Sequence, residues 1–157
     1  MDKRVQAQNA CDFEQFTDLI KRLLHAAWGE NWGTFCMAFP NGTEPNEVKL
    51  PVITYIMTRM VPAVVGRNTR EIRPRHRHTF RKEGPNGIEV IEVYGQLYDC
   101  TVAFEVWEES NEKADKMARK FRELMMIYGD YFRSQGVASI IFDGMDNTTA
   151  SVKWKDD

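Results

Sequence analysis

Cysteine, histidine and long apolar runs are all scarce in this chain, and one stretch lacks basic residues altogether. The 157 residues include three cysteines, Cys11, Cys36 and Cys100, odd in number and far apart. That pattern excludes a full disulfide framework and any CxxC metal knuckle, and it suits buried or indifferent thiols in a reducing compartment. No apolar run approaches the length of a membrane span, and MDKRVQAQNACDFEQF at the start has no apolar core of signal-peptide length. The expectation is a protein made and kept in the cytosol, or built into a particle assembled there, with no membrane partner. Signatures of chemistry are missing too. No GxSxG, GxxxxGK[ST] or GxGxxG occurs, and neither a serine nor a cysteine has a histidine at a defensible spacing. The chain therefore reads as non-enzymatic and without a cofactor.

What is present is a sharp division of charge. From Arg67 to Lys82 there are seven lysines and arginines against one acid, Glu71. From Glu83 to Glu109 there are seven acids and no lysine or arginine. The formal net charge is only −2, so bulk charge does not mark a polyanion binder. The poles themselves suit a charged partner or a second copy of the same chain. With 43% hydrophobic and 28% charged residues, the composition is that of an ordinary globular protein, and the length suits one domain spanning 1–157.

Periodicity sets the order of elements. After a polar, flexible stretch at 1–11, Asp12 reads as an N-cap with Gln15 closing a capping box. Phe13, Phe16, Ile20, Leu23, Leu24 and Ala27 then recur at helical spacing, and Gly29 is a plausible stop, which predicts a helix over 12–28. Residues 29–50 hold aromatic clusters and then a loop rich in Pro, Asn and Gly. VITYIMTRMVP predicts a strand from Val52 to about Met60. The basic stretch 72–82 reads as a second strand or an extended arm, with EGPNG as a turn and Pro74 keeping any strand there at an edge. Residues 88–107 show the strongest strand signal, divided at Gly95. Gln96, Tyr98, Cys100, Val102, Phe104 and Val106 alternate with a second set, and the first set is expected to face the helices. A long helix follows, capped by Ser110 or Asn111 and ended by Gly136. Its inner face would carry Ala114, Met117, Ala118, Phe121, Leu124, Met125, Tyr128 and Phe132. Glu112–Lys116, Asp115–Arg119 and Arg119–Glu123 would pair on the wet side. VASIIF and TASVKW read as two closing strands around a DGMDN turn. The expected fold is α+β, a single antiparallel sheet of four to five strands with two helices on one face and an extended basic hairpin or arm.

The candidate sites are weak as chemistry. His76 and His78 would share one side of a strand, but a zinc site needs further ligands and the flanking arginines repel a cation. Glu105, Glu108 and Glu109 are explained by a strand's outer face and a helix start. The basic stretch has more content. A solvated loop is the plainest reading of it. A nucleic-acid arm has arginines in number and Phe80 to stack on a base, but no RRM, KH or helix-turn-helix pattern surrounds it. A third reading docks the basic arm of one copy on the acidic 89–109 face of its neighbour.

LPVITYIMTRMVP resembles the P-x-I-T-Y strand of tail-terminator, or tail-completion, proteins of tailed bacteriophages. YGQLYDCTVAFEVWEESNEKADKMARKFRELM is similar to the strand and long helix of those proteins and of related neck proteins, where a W-x-x-[ST] stretch leads into the helix. The resemblance spans residues 12–143. It implies a structural virion protein that forms a homohexameric ring at the head-proximal end of the tail tube, ends tail polymerisation and joins tail to head. Its partners would be other copies of itself, the tail tube or sheath, head-completion or connector proteins, and DNA passing through the lumen. Such a protein is assembled in the host bacterial cytoplasm and resides in the virion. The arm of that family falls at 62–87 here and is unusually rich in arginine. The residues expected to make intersubunit or lumen contacts are Arg67, Arg70, Arg73, Arg75, Arg77, Arg81 and Lys82, with Glu89, Glu92, Glu105, Glu108 and Glu109 as acidic partners. Another connector or baseplate component, or a nucleic-acid-binding module using the arginines of 67–82, is the alternative.

Overall fold

The structure, a computed structural model, describes residues 11–38 and 49–145. It is α+β, with three helices, one three-stranded sheet and two two-stranded ladders among the described residues. The described residues divide into two compact units. Residues 57–103 form one, and 11–38, 49–56 and 104–145 form the other.

The helical unit is built from α1 (Phe13–Trp28), β1 (Thr34–Met37), the first part of β2 (Val52–Pro62), the last part of β7 (Tyr98–Trp107), α2 (Asn111–Ile127) and α3 (Gly129–Ser134). The start of α1 follows from its sequence. The Asp12 side chain accepts from the Gln15 N–H at 2.8 Å, and the Asp12 N–H donates to the Gln15 side chain at 3.0 Å. Two otherwise orphaned donors are thereby satisfied. Leu19, Ile20, Leu23 and Leu24 of α1 are buried together with Ile53 of β2, Phe121, Leu124 and Met125 of α2 and Phe132 of α3. Phe35, Phe104 and Val106 pack against this cluster from the strands. Burial of Ile20, Leu24, Ile53 and Phe132, all fully out of solvent, contributes about 1.5–3 kcal/mol per side chain. On the wet face of α2 the Lys116–Glu112 and Arg119–Asp115 pairs form at 3.1 and 3.0 Å.

Several sequence expectations are corrected in this unit. Instead of one antiparallel sheet of four to five strands there is a three-stranded sheet in the order β1-β2-β7. Its first pair is parallel, Thr34 opposite Val52 through Met37 opposite Tyr55. The strand at 34–37 was concealed among aromatic clusters too short to show alternation, and Phe35 stacks on Tyr55 at 4.8 Å. The long helix is interrupted at Tyr128, just before Gly129, whose helix propensity is poor. VASIIF forms no strand. Val137 donates to the Phe132 carbonyl at 3.1 Å and packs with Ile140 on the core, so the segment closes the helix end instead of pairing. TASVKW lies outside the described residues.

The second unit holds the rest of β2 and β7 with β3 (Val64–Val65), β4 (Thr69–Arg70), β5 (Arg75–Gly84) and β6 (Gly87–Gly95). Ala63 donates to the Leu97 carbonyl at 3.0 Å, and the Thr58 hydroxyl donates to the Thr101 carbonyl at 3.2 Å. As one residue number rises the other falls, so β2 and β7 run antiparallel here. The outward turn of β7 differs from expectation. Phe104 and Val106 do reach the core, whereas Tyr98 and Cys100 on the same side are exposed.

A candidate assembly arm

The basic segment is half of a hairpin. β5 and β6 pair antiparallel from Arg75 opposite Gly95 to Gly84 opposite Gly87, with Pro85 and Asn86 as a two-residue turn. Gly87 has φ +114, in the left-handed region that a side chain disfavours. The acidic residues just after the turn therefore fold back on the basic ones. Lys82 lies opposite Glu89, and Thr79 lies opposite Glu92. The change of charge sign along the sequence is resolved within one chain, as two complementary strands joined by a turn.

A bulge at Arg77 separates the pairs His76–Tyr94 and His78–Val93. Neighbours on β6 face opposite ways, so the two histidines lie on opposite faces of the ribbon. This overturns the expectation that they share a side. The His76 ring packs edge-on to Tyr94 at 5.6 Å and bonds Thr79 Oγ1 at 2.6 Å, whereas His78 stacks on Phe80 at 5.8 Å. Among the described residues, no three His, Cys, Asp or Glu side chains gather as a metal site.

The bulge turns Arg77 to the base of the arm. Its guanidinium pairs with Glu71 Oε1 and donates to the Gly95 carbonyl at 3.2 Å. Glu71 is 0% exposed, the one fully buried charge among the described residues. Its backbone accepts from Gln96 Nε2 at 2.9 Å and donates to the Ala63 carbonyl at 2.8 Å. Glu71 thus ties its segment to β5 through its carboxylate and to the chain after β6 through its backbone carbonyl. Sequence reasoning overlooked this anchor, although its signal was present: Glu71 is the single acid in a run of seven basic residues.

Above the anchor the ribbon is bare. Every residue from His76 to Glu83 is exposed, and large apolar side chains stand in water on both faces. Ile88 is 68% and Val90 60% exposed on the His76 face, and Phe80 is 42% exposed on the other. The Glu89 carboxylate leans over Gly84, where a β-carbon would come within 2.7 Å of it. Tyr94 donates to Glu92 at 3.0 Å, and this bond together with the Glu92 charge pushes the phenol above its ordinary pKa.

The other predicted contact residues spread out. Arg67 sits in the turn between β3 and β4, and Arg70 on β4 donates to the Pro62 carbonyl at 2.8 Å. Arg73 is exposed just before β5. Glu105, Glu108 and Glu109 belong to the helical unit, not the hairpin. Glu109 pairs with Lys113 at 2.8 Å across the first turn of α2, which holds its carboxyl below the usual range. A cleft of about 420 Å³ in the helical unit is lined by Cys11, Asp18, Arg22 and Ser134 among others. Burial and then Asp12 push the Cys11 thiol up, away from the thiolate a nucleophile needs.

No helix among the described residues is long and apolar enough to cross a membrane. No known protein family, curated protein or solved structure matches the chain.

Proposed function

We propose that this chain is a structural protein of a tailed-phage virion that assembles as a ring at the head-proximal end of the tail tube, ending polymerisation and joining tail to head. It works by assembly geometry, not by catalysis. The observation that carries the reading is the anchored, solvent-exposed β5–β6 ribbon. A two-stranded ribbon alone in water is marginal, and one that exposes Phe80, Ile88 and Val90 gains most when another surface covers it. The clamp of Glu71, Arg77 and Gln96 presets the base of the arm, which lowers the ordering cost of docking. The sequence resemblance over residues 12–143 names the kind of assembly.

Exposed Arg73, Arg75, Arg81 and Lys82 form no ion pair among the described residues, which favours the lumen DNA or another nucleic acid as a second target. Negative-stain imaging with and without tail tubes, beside native mass, tests both. Rings or caps on tube ends are the expected result. A monomer that ignores tubes but shifts labelled DNA with a steep salt dependence would replace the ring reading with the nucleic-acid one.

A further inference from the structure

The two edges of the β5–β6 ribbon carry opposite charge. β5 presents Arg75, Arg81 and Lys82 with Glu83 as its only acid, and Arg77 is already occupied by Glu71. β6 presents Glu89 and Glu92 and no basic residue. Each strand is paired on one side only, so each edge shows a row of unpaired backbone donors and acceptors among the described residues. An exposed edge is a template for another strand, and side chains decide which strand it accepts.

We infer that this ribbon joins copies of the chain edge to edge, the outer edge of β5 in one copy pairing with the outer edge of β6 in the next. The inference deepens the ring reading and rests on its self-assembling part, while requiring no tail tube. Pairing β5 with a second β5 sets arginine and lysine beside their own kind, which is destabilising. Pairing unlike edges is attractive and fixes direction. The chain already displays the register: within the hairpin Lys82 lies opposite Glu89, and Thr79 opposite Glu92. A second copy that repeats this register sets its Lys82 against Glu89 and its Arg81 diagonal to Glu92. On one face Phe80 then lies beside Ile91 across the seam, and on the other Arg81 lies beside Val90. A contact between unlike edges is heterologous, so it closes into a ring when the rotation permits. A two-fold contact between β6 edges would instead strand two basic β5 edges at the outside.

The test uses the full chain, native mass spectrometry and sedimentation. E89K/E92K makes both edges basic and R81E/K82E makes both acidic, so each variant alone is expected to associate at least about tenfold more weakly than the wild type. Mixed in equal amounts, the two should co-assemble, because every seam between unlike copies is again complementary. Mixing does nothing for the hairpin within either chain, so rescue reports the contact between copies. The chain with all four reversals keeps complementarity inside and between copies and is expected to assemble like the wild type. A wild-type chain that stays monomeric at every concentration overturns the inference, as does a mixture without rescue. Loss of assembly in E89K/E92K alone, with R81E/K82E unaffected, would identify two-fold β6 pairing instead. Assemblies that obey these rules but ignore tail tubes would sink the terminator role and leave the edge contact standing.

Discussion

Glu71 and Arg77 show how much one buried charge decides. The carboxylate is fully buried, whereas the guanidinium is 36% exposed. Removing the two partners should therefore have unequal effects. Arg77→Ala strands an unpaired charge in the interior and should cost about 3–5 kcal/mol. Glu71→Ala leaves an arginine that can turn to water and should cost clearly less. Urea unfolding of both variants checks this, and equal losses would show that Glu71 is not the buried partner described. A second residue-scale prediction concerns Glu109, whose folded pKa is depressed by Lys113. Its stabilisation is fully present above the ordinary carboxylate pKa and is lost as the pH falls through the lowered value. Glu109→Gln should accordingly flatten the acid limb of the stability profile below the ordinary carboxylate range and leave its shape near neutrality unchanged. Because the pair is exposed, added salt should shrink the difference.

At the scale of elements, the chain mixes a well-covered helical layer with a bare ribbon. Ile20, Leu24 and Ile53 are sealed in the core, while β5 is exposed along almost its whole length. Local stability should follow that difference. Hydrogen exchange is expected to be fastest near the turn of Pro85 and Asn86, slower towards Arg77, and slowest in the middle of α1. Association should then protect amides on the outer edges of β5 and β6. Uniform protection of ribbon and helix in the monomer would contradict the picture of an arm awaiting a partner. The elements also differ in how well they were legible. The Asp12 cap, Gln15 and the 3.6-residue spacing of α1 are local signals, and that helix forms where they point. β1 escaped notice because its pairing with β2 is parallel and joins residues about a loop's length apart, which no local pattern encodes. The break at Tyr128 follows from Gly129, whereas in the unpaired VASIIF packing on Phe132 overrides strand propensity.

For the whole molecule, a net charge of −2 conceals strands of opposite sign. If unlike edges hold copies together, association should weaken as ionic strength rises, because exposed charges beyond about 8 Å are screened at physiological salt. The apolar contact of Phe80 with Ile91 and the backbone pairing should persist, so salt is expected to reduce association without abolishing it. Sedimentation across a salt series reads this directly. Association that strengthens monotonically with salt would mean that the apolar faces, not the charged edges, carry the contact.

By itself the sequence determined the α+β class, the two main helices, their N-caps and the turn after the basic strand, because each depends on residues within a few positions of one another. It also announced the charge division. Only the tertiary structure decided what that division does. A turn of two residues brought the acidic strand against the basic one, the bulge at Arg77 sent His76 and His78 to opposite faces, and burial turned Glu71 from a stray acid into the anchor of the ribbon. Those outcomes depend on which strands meet and in what register. That is set by backbone hydrogen bonds between residues distant in sequence and by the cost of burying a charge without a partner.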